Sequence, residues 1–294
     1  MTQTWTHIPI LAKEIAELLL LRPNGVYMDG TLGLGGHSKL FLSHLGPQAR
    51  LFGFDKDEEA LQMAKQTVND ARLTAVHASY TQARDVFDQY GVDKVDGALF
   101  DLGLSSYQLD NPVRGFSLLR EGPLDMRFDT HSSLTAETIV NEWGLTELER
   151  ILTEYGEESH AHAIAMAIMA TRRQERIATT GQLKKIVESV VRGRGKIHPA
   201  TQTFQALRIA VNDELKCVEQ MTSLLPQIMA IGGRAAVLTF HSLEDRLIKL
   251  RFKELVAAGD WKLVNKHVIV PSYEEVRQNS RARSAKLRVI ERVK

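Results

Sequence analysis

Residues 29–38 read Asp29-Gly-Thr-Leu-Gly33-Leu-Gly35-Gly36-His37-Ser38. Before them, Gly25-Val-Tyr-Met-Asp29 is an apolar run short enough for a buried strand. After them, His37 to Leu45 has helical periodicity. A strand that turns on glycines directly into a helix is the opening unit of a parallel α/β sheet. The glycines allow positive φ and let a ligand approach the backbone closely.

The same alternation extends outward from this loop. Residues 11–21 form a helical pattern that stops at the turn signal Arg22-Pro23-Asn24-Gly25. Arg50 to Asp55 reads as a second strand, Glu58 to Val68 as a helix, Leu73 to His77 as a third strand and Val95 to Asp101 as a fourth. From Ser106 to Thr130 a Gly/Pro-containing stretch breaks the pattern and is too long for an ordinary connection. The chain then reads as helical to about Glu219. Strand patterns resume at Arg234–Phe240, His267–Val270 and Leu287–Ile290. The expected fold is α/β, a mostly parallel Rossmann-like sheet with an inserted helical domain. The expected boundaries are 1–110 with 215–294 for the sheet domain and 111–214 for the insertion.

Asp55 ends the second strand, 20 positions after Gly35. A carboxylate there can accept hydrogen bonds from both hydroxyls of a ribose. Glycines and acid together point to a nucleoside-containing cofactor. A dinucleotide requires G-x-G-x-x-G. Counted from Gly33, the third glycine falls on Ser38, so the pattern fails. The loop carries an acid at its head, Asp29, which suits a ligand presenting an ammonium rather than a phosphate. S-adenosylmethionine meets these requirements.

Composition narrows the alternatives. The chain has 294 residues, 44% apolar and 25% charged, with 37 Lys+Arg against 36 Asp+Glu and a formal net charge of +1. That balance excludes a uniformly basic nucleic-acid coat but not a local basic face. No apolar run approaches the roughly 18 residues that cross a membrane. No secretory signal is evident at the N-terminus, and a cytoplasmic location is expected. One cysteine, Cys217, excludes a disulfide framework, a cysteine-built zinc site and an iron–sulfur radical mechanism. It reads as a buried helix residue away from any strand end. Methylation at a pyrimidine C5, which uses a cysteine nucleophile, is therefore disfavoured. His160-x-His162 on a helix points two ways and is not a chelating pair. No metal site is expected.

Asp101 ends the fourth strand in Leu99-Phe-Asp101-Leu-Gly103-Leu-Ser105-Ser106, and ligands of such sheets sit outside the carboxyl ends of the strands. Enzymes that methylate nucleobase amines commonly carry Asp/Asn-Pro-Pro-aromatic there. This chain keeps the acid and lacks the rest. Asp101 is the candidate catalytic residue. His241, directly after the fifth strand pattern, is a further candidate near the substrate end of the sheet.

Four stretches in order resemble the small-subunit ribosomal RNA cytosine-N4 methyltransferase family (RsmH, also called MraW). They are His7–Leu11 with residues 29–38; Asp101–Asp110 with Arg114–Ser117 and Gly122–Arg127; His198–Arg208; and Phe240–Arg246 with Arg281–Ser284. They span essentially the whole chain. The resemblance implies a class I methyltransferase fold. It also implies S-adenosylmethionine as methyl donor, and a cytosine in the decoding region of small-subunit ribosomal RNA as target, within an assembled or nearly assembled subunit. Its cofactor contacts fall on Gly35, Gly36, His37, Asp55, Tyr80, Asp101 and Gln108. Tyr80 stands where the family usually has phenylalanine. Tyr107 stands where it usually has proline, which would loosen the loop.

The charge is patterned despite its small total. Residues 172–208 hold nine Lys/Arg and two Glu; residues 277–294 hold seven Lys/Arg and one Glu. Both are candidate RNA tracks, since phosphate contacts supply much of nucleic-acid affinity. Val191–His198, with Arg192, Arg194 and Lys196 among flexible glycines, is the best single segment. The competing readings are a methyltransferase for another amine and a non-catalytic RNA-binding ribosome assembly factor. The sequence is compatible with a monomer or a homodimer.

Overall fold

A computed structural model of the chain describes residues 9–191 and 198–294. The described chain divides into two compact units, residues 1–105 with 215–294, and residues 106–214. The second unit thus begins at Ser106, where the sequence pattern placed the junction after residue 110. Among the described residues no helix is long and apolar enough to cross a membrane.

The first unit is built on seven strands: β1 Val26–Asp29, β2 Arg50–Asp55, β3 Leu73–His77, β4 Val95–Asp101, β5 Met229–Thr239, β6 Trp261–Leu263 and β7 Lys286–Arg292. They form one sheet in the order β3-β2-β1-β4-β5-β7-β6. β1 to β5 run parallel, and β7 is antiparallel to both β5 and β6. β1 pairs with β2 on one side and β4 on the other, so the strand order reverses at its carboxyl end. That end is where an open α/β sheet has a crevice for ligand.

Both faces of the sheet are buried, which explains the continuous apolar runs. Tyr27, Leu51, Leu99, Ala236 and Leu238 pack on one face with α1 (Ala12–Leu19) and α2 (Gly36–His44). Their neighbours Met28, Phe52, Phe100, Ala235 and Val237 pack on the other. Phe87 on that side meets Phe52 and Phe54 edge-on, with ring centroids 5.3 and 5.9 Å apart. Between β2 and β3 runs α3 (Glu58–Val68); Asp57 caps its start by accepting from the Ala60 amide, and Asn69 ends it in the left-handed region. α4 (Ala83–Gln89) follows β3.

The second unit holds α5 (Ser106–Asp110), α6 (Ala136–Glu142), α7 (Leu145–Glu154), α8 (Ala161–Arg172), α9 (Thr180–Val190) and α10 (Thr201–Asn212). Its Gly/Pro stretch is ordered by arginines. Buried Arg114 donates to the carbonyls of Arg127 and Phe128. Arg127 is held by Asp125 and donates to the carbonyls of Thr130 and Ser132. Backbones cross too closely for side chains: a Cβ on Gly115 would lie 2.2 Å from the Pro123 carbonyl. Tyr107 does not loosen this region. It is buried on α5, and its hydroxyl accepts from Asn111 Nδ2 at 2.9 Å.

α11 (Glu214–Ile228) leads back to the sheet, and α12 (Ser242–Ala257) and α13 (Tyr273–Gln278) complete the chain. The expected strand at His267–Val270 is absent; only Ile269 bridges Leu287. The edge strand is Trp261–Leu263, anchored by buried Trp261. Asn265 explains the switch. Its side-chain oxygen accepts from the Val289 amide and its amide group donates to the Leu287 carbonyl, so a side chain replaces the backbone ladder there.

Candidate functional site

Three acids end three adjacent strands: Asp29 on β1, Asp55 on β2 and Asp101 on β4. The glycine loop ties them together. Gly30 donates to the Leu99 carbonyl at 2.8 Å and Leu32 to the Phe54 carbonyl at 2.8 Å. Gly33, at φ +51, donates to Asp55 Oδ2 at 2.7 Å. Thr31 Oγ1 accepts from the Asp101 amide at 2.6 Å. Gly35 caps α2 at φ +81, and a Cβ there would lie 2.6 Å from Val68 Cγ2. At Gly33 the nearest atoms to such a Cβ are 3.8 Å away, so the turn has open space above it.

Asp29 is buried. Its Oδ2 accepts from Ser38 Oγ at 2.7 Å and its Oδ1 from the Thr31 amide at 3.2 Å. Burial pushes its carboxyl up, against the pull of Ser38 and His37. Ser38 therefore has a use that explains the failed dinucleotide pattern: the residue in the third glycine's place holds the acid at the head of the loop. Neither Ser38 nor Thr31 was singled out from sequence, although both lie in the quoted stretch, where a hydroxyl interrupts glycines.

Asp55 is partly exposed. Burial pushes its carboxyl up to about 6, although the amides of Asp57 and Gly33 donate to it. Asp101 has a side chain 16% exposed, yet its Oδ1 is shut from water and has no hydrogen-bond partner among the described residues. Its Oδ2 lies 3.7 Å from Nδ1 of buried His37. His37 Nε2 lies 3.0 Å from the Ile10 carbonyl. Tyr80 sits in the short turn after β3, half-buried, with its ring edge-on to Phe100 at 5.5 Å. Gly35, Gly36, His37, Asp55, Tyr80 and Asp101 thus all belong to the carboxyl-end surface of the first unit. Gln108 is buried on α5 in the second.

Other candidates have structural work. His241 caps α12 in a reciprocal box with buried Glu244, whose Oε2 accepts from the Phe240 amide at 2.9 Å. His162 pairs with Glu149 and His160 with Glu158. Cys217 is a buried helix residue as expected, but it is not remote from a strand end: its Sγ accepts from Lys56 Nζ at 3.4 Å, and Lys56 directly follows Asp55. The helix α11 runs back along the sheet, which brings its first turn to the carboxyl ends of the strands.

The basic stretches are less free than their counts imply. Arg172 donates to the Val140 and Trp143 carbonyls, Arg176 pairs with Glu137, and Arg208 with Glu214. In the C-terminal stretch Lys286 and Arg288 both pair with Asp245, and Arg292 donates to the Pro226 and Met229 carbonyls. Arg277, Arg281 and Arg283 are exposed. Arg192, Arg194 and Lys196 lie outside the described residues.

A sheet ordered 3-2-1-4-5-7-6 with strand seven reversed, and acids ending strands one, two and four around a glycine turn, is the class I methyltransferase fold. The profile of the MraW methylase family matches residues 4–293, and the chain belongs to that family. It is 54% identical over 290 residues to a protein of Elusimicrobium minutum named Ribosomal RNA small subunit methyltransferase H, covering 98% of this chain and 99% of the relative. Proteins of the same name from Halothermothrix orenii and Caldicellulosiruptor saccharolyticus are each 42% identical, over 307 and 306 residues. Each match covers 98% of this chain, and 98% and 100% of the respective relative. The chain is an enzyme, a methyltransferase.

Proposed function

We propose that this enzyme transfers a methyl group from S-adenosylmethionine to the exocyclic N4 amine of a cytosine in the decoding region of small-subunit ribosomal RNA. Family membership over nearly the whole chain, with relatives whose name specifies small-subunit ribosomal RNA, supports the RNA and the reaction. One observation in the site carries the amine: the buried Oδ1 of Asp101 at the end of β4, which has no partner among the described residues. A buried carboxylate oxygen without a donor is costly, and an N–H group supplied by a ligand relieves that cost.

The residues fit the methyl donor. Asp55 accepts hydrogen bonds from the two ribose hydroxyls. The Gly33–Gly36 turn lets the ligand lie against backbone, and the acids around it favour a cationic ligand over a phosphate. Tyr80 offers an aromatic face to the adenine. His37 contributes through its place in the same turn, and Gln108 joins this set on the resemblance alone. The bound donor supplies an electrophilic methyl carbon on a sulfonium.

What the protein must add is position. The cytosine amine is a weak nucleophile because its lone pair is delocalised into the ring. Holding nitrogen in line with the methyl, with water excluded, supplies much of the barrier reduction. An N–H···Oδ1 hydrogen bond to Asp101 favours the pyramidal, nucleophilic nitrogen. Reaching the amine requires the base to leave its stack. The 106–214 unit serves substrate recognition in this reading, and the partner is the small subunit rather than free nucleotide.

Incubation of the protein with labelled methyl donor and small ribosomal subunits, followed by digestion of the RNA to nucleosides, tests this directly. Label in N4-methylcytidine is the expected result. Label in another nucleoside, or in ribosomal protein, refutes the assignment.

A further inference from the structure

The environment of His37 gives it a single tautomer. Its Nε2 lies 3.0 Å from the Ile10 carbonyl, which can only accept, so Nε2 carries the hydrogen. In the neutral ring, Nδ1 is then a bare acceptor, and it faces Asp101 Oδ2 at 3.7 Å, beyond hydrogen-bond reach. The other carboxylate oxygen, Oδ1, is shut from water and has no partner among the described residues. Two acceptors thus face each other with no proton between them, and His37 is only 5% exposed. A bare imidazole nitrogen beside a carboxylate is a proton-accepting pair: a proton arriving on either is shared with the other and the net charge of the pair falls.

We infer that His37 and Asp101 together receive the proton that leaves the target amine, with Asp101 touching the amine and His37 acting behind it as the positioning residue that takes up the charge. This deepens the proposed function and rests on it. The amine nitrogen forms its bond to the methyl carbon as the sulfur–carbon bond breaks, sulfur keeping the electron pair. The nitrogen then carries a positive charge and one hydrogen too many. That proton passes to Asp101 and on to Nδ1 of His37, leaving neutral methylated amine, and the imidazolium releases it to solvent once product departs. Thr31 keeps Asp101 in place through the main-chain amide, and the Ile10 carbonyl keeps Nδ1 pointed at it. The other titratable groups around the pair are Asp29, which faces both members, Asp55, which faces Asp29, and Glu275, which accepts from the Leu11 amide beside Ile10. At the end of β5, the His241–Glu244 cap lies at the neighbouring strand's terminus.

Two measurements test the pair. In the ligand-free protein, nitrogen NMR of the His37 ring is expected to show the Nε2–H tautomer, and Asp101→Asn is expected to shift the Nδ1 resonance. An Nδ1–H tautomer, or an Nδ1 resonance indifferent to Asp101→Asn, overturns the pairing. The second is single-turnover methylation at saturating methyl donor from about pH 5.5 to about pH 8.5. The wild type is expected to lose rate as pH falls, because solvent protons then compete for the acceptor pair. His37→Gln, and His37→Asn should the first variant fold poorly, are expected to be about 10- to 100-fold slower at high pH and to lack that limb. A variant with the wild-type rate and limb overturns the inference. A wild type that methylates no RNA refutes the proposed function instead, while the NMR result still decides the pair.

Discussion

The Gly33 amide donates to Asp55 Oδ2 across 2.7 Å, so the turn after β1 and the end of β2 share one carboxylate. That carboxylate titrates at about 6 in the folded chain against an ordinary 3.8. In the ligand-free protein its ionised form therefore costs stability above pH 6. The cost shrinks as pH falls from 6 toward 3.8, where the unfolded chain also takes up a proton.

Ligand binding has the opposite pH sense. Ribose hydroxyls are held best by the ionised form, so affinity for S-adenosylmethionine is expected to fall as pH drops through about 6. Asp55→Ala is expected to weaken binding by about 1.5–3 kcal/mol at neutral pH and to remove that pH dependence. Calorimetry at two pH values reads both. Unchanged affinity in the variant would place the ribose elsewhere.

Gly35 is fixed by two independent constraints, its φ of +81 and the 2.6 Å approach of Val68 Cγ2 to any added Cβ. Gly35→Ala is expected to destabilise the first unit by about 2–4 kcal/mol, from left-handed strain plus overpacking. Urea unfolding measures it, and a variant as stable as the wild type would mean that α3 yields freely.

Much of this architecture was legible because local signals agreed with the fold. β2, α3, β3 and β4 begin and end where the sequence pattern placed them, with Asp57 capping α3 and Asn69 stopping it. The acids at strand ends followed from the same periodicity. What sequence could not show is where side chains compete with backbone. Asn265 replaces a ladder and displaces the sixth strand to Trp261–Leu263. Arg172 spends its charge on two carbonyls. The His37 ring is oriented by a carbonyl 27 positions away. None of these has a periodic signature.

Two sets of basic residues are expected to respond differently to replacement. Replacing Arg192, Arg194 and Lys196 with Ala is expected to weaken RNA binding and flatten its salt dependence by up to about 0.7–0.9 in log–log slope per lost phosphate contact. Arg172→Ala is expected to lower stability and leave that slope alone, since its guanidinium already serves Val140 and Trp143. RNA titrations at several salt concentrations separate the two. A wild-type slope in the triple variant would make the 192–198 segment ordinary solvated surface.

The proposed cofactor and substrate roles converge on Asp101, and Asp101→Asn distinguishes them. The side chain keeps its size, and its amide oxygen still accepts hydrogen bonds, but the charge is gone. If the carboxylate only orients the methyl donor, the dissociation constant rises and the single-turnover rate at saturating donor stays near the wild-type value. If it accepts the amine hydrogen and then the proton, the rate at saturation falls, by about 10²-fold on the scale of positioned acid–base groups. The Oδ1 that has no partner among the described residues and the facing Nδ1 of His37 argue for the second. The same carboxylate ends the strand beside Asp29, where the donor's ammonium is expected, so a smaller loss of donor affinity should accompany it. Both effects are therefore expected, with the larger in the rate. A variant that reaches the wild-type rate once donor is saturating would remove Asp101 from the chemistry and leave alignment of nitrogen, methyl and sulfur as the whole of catalysis.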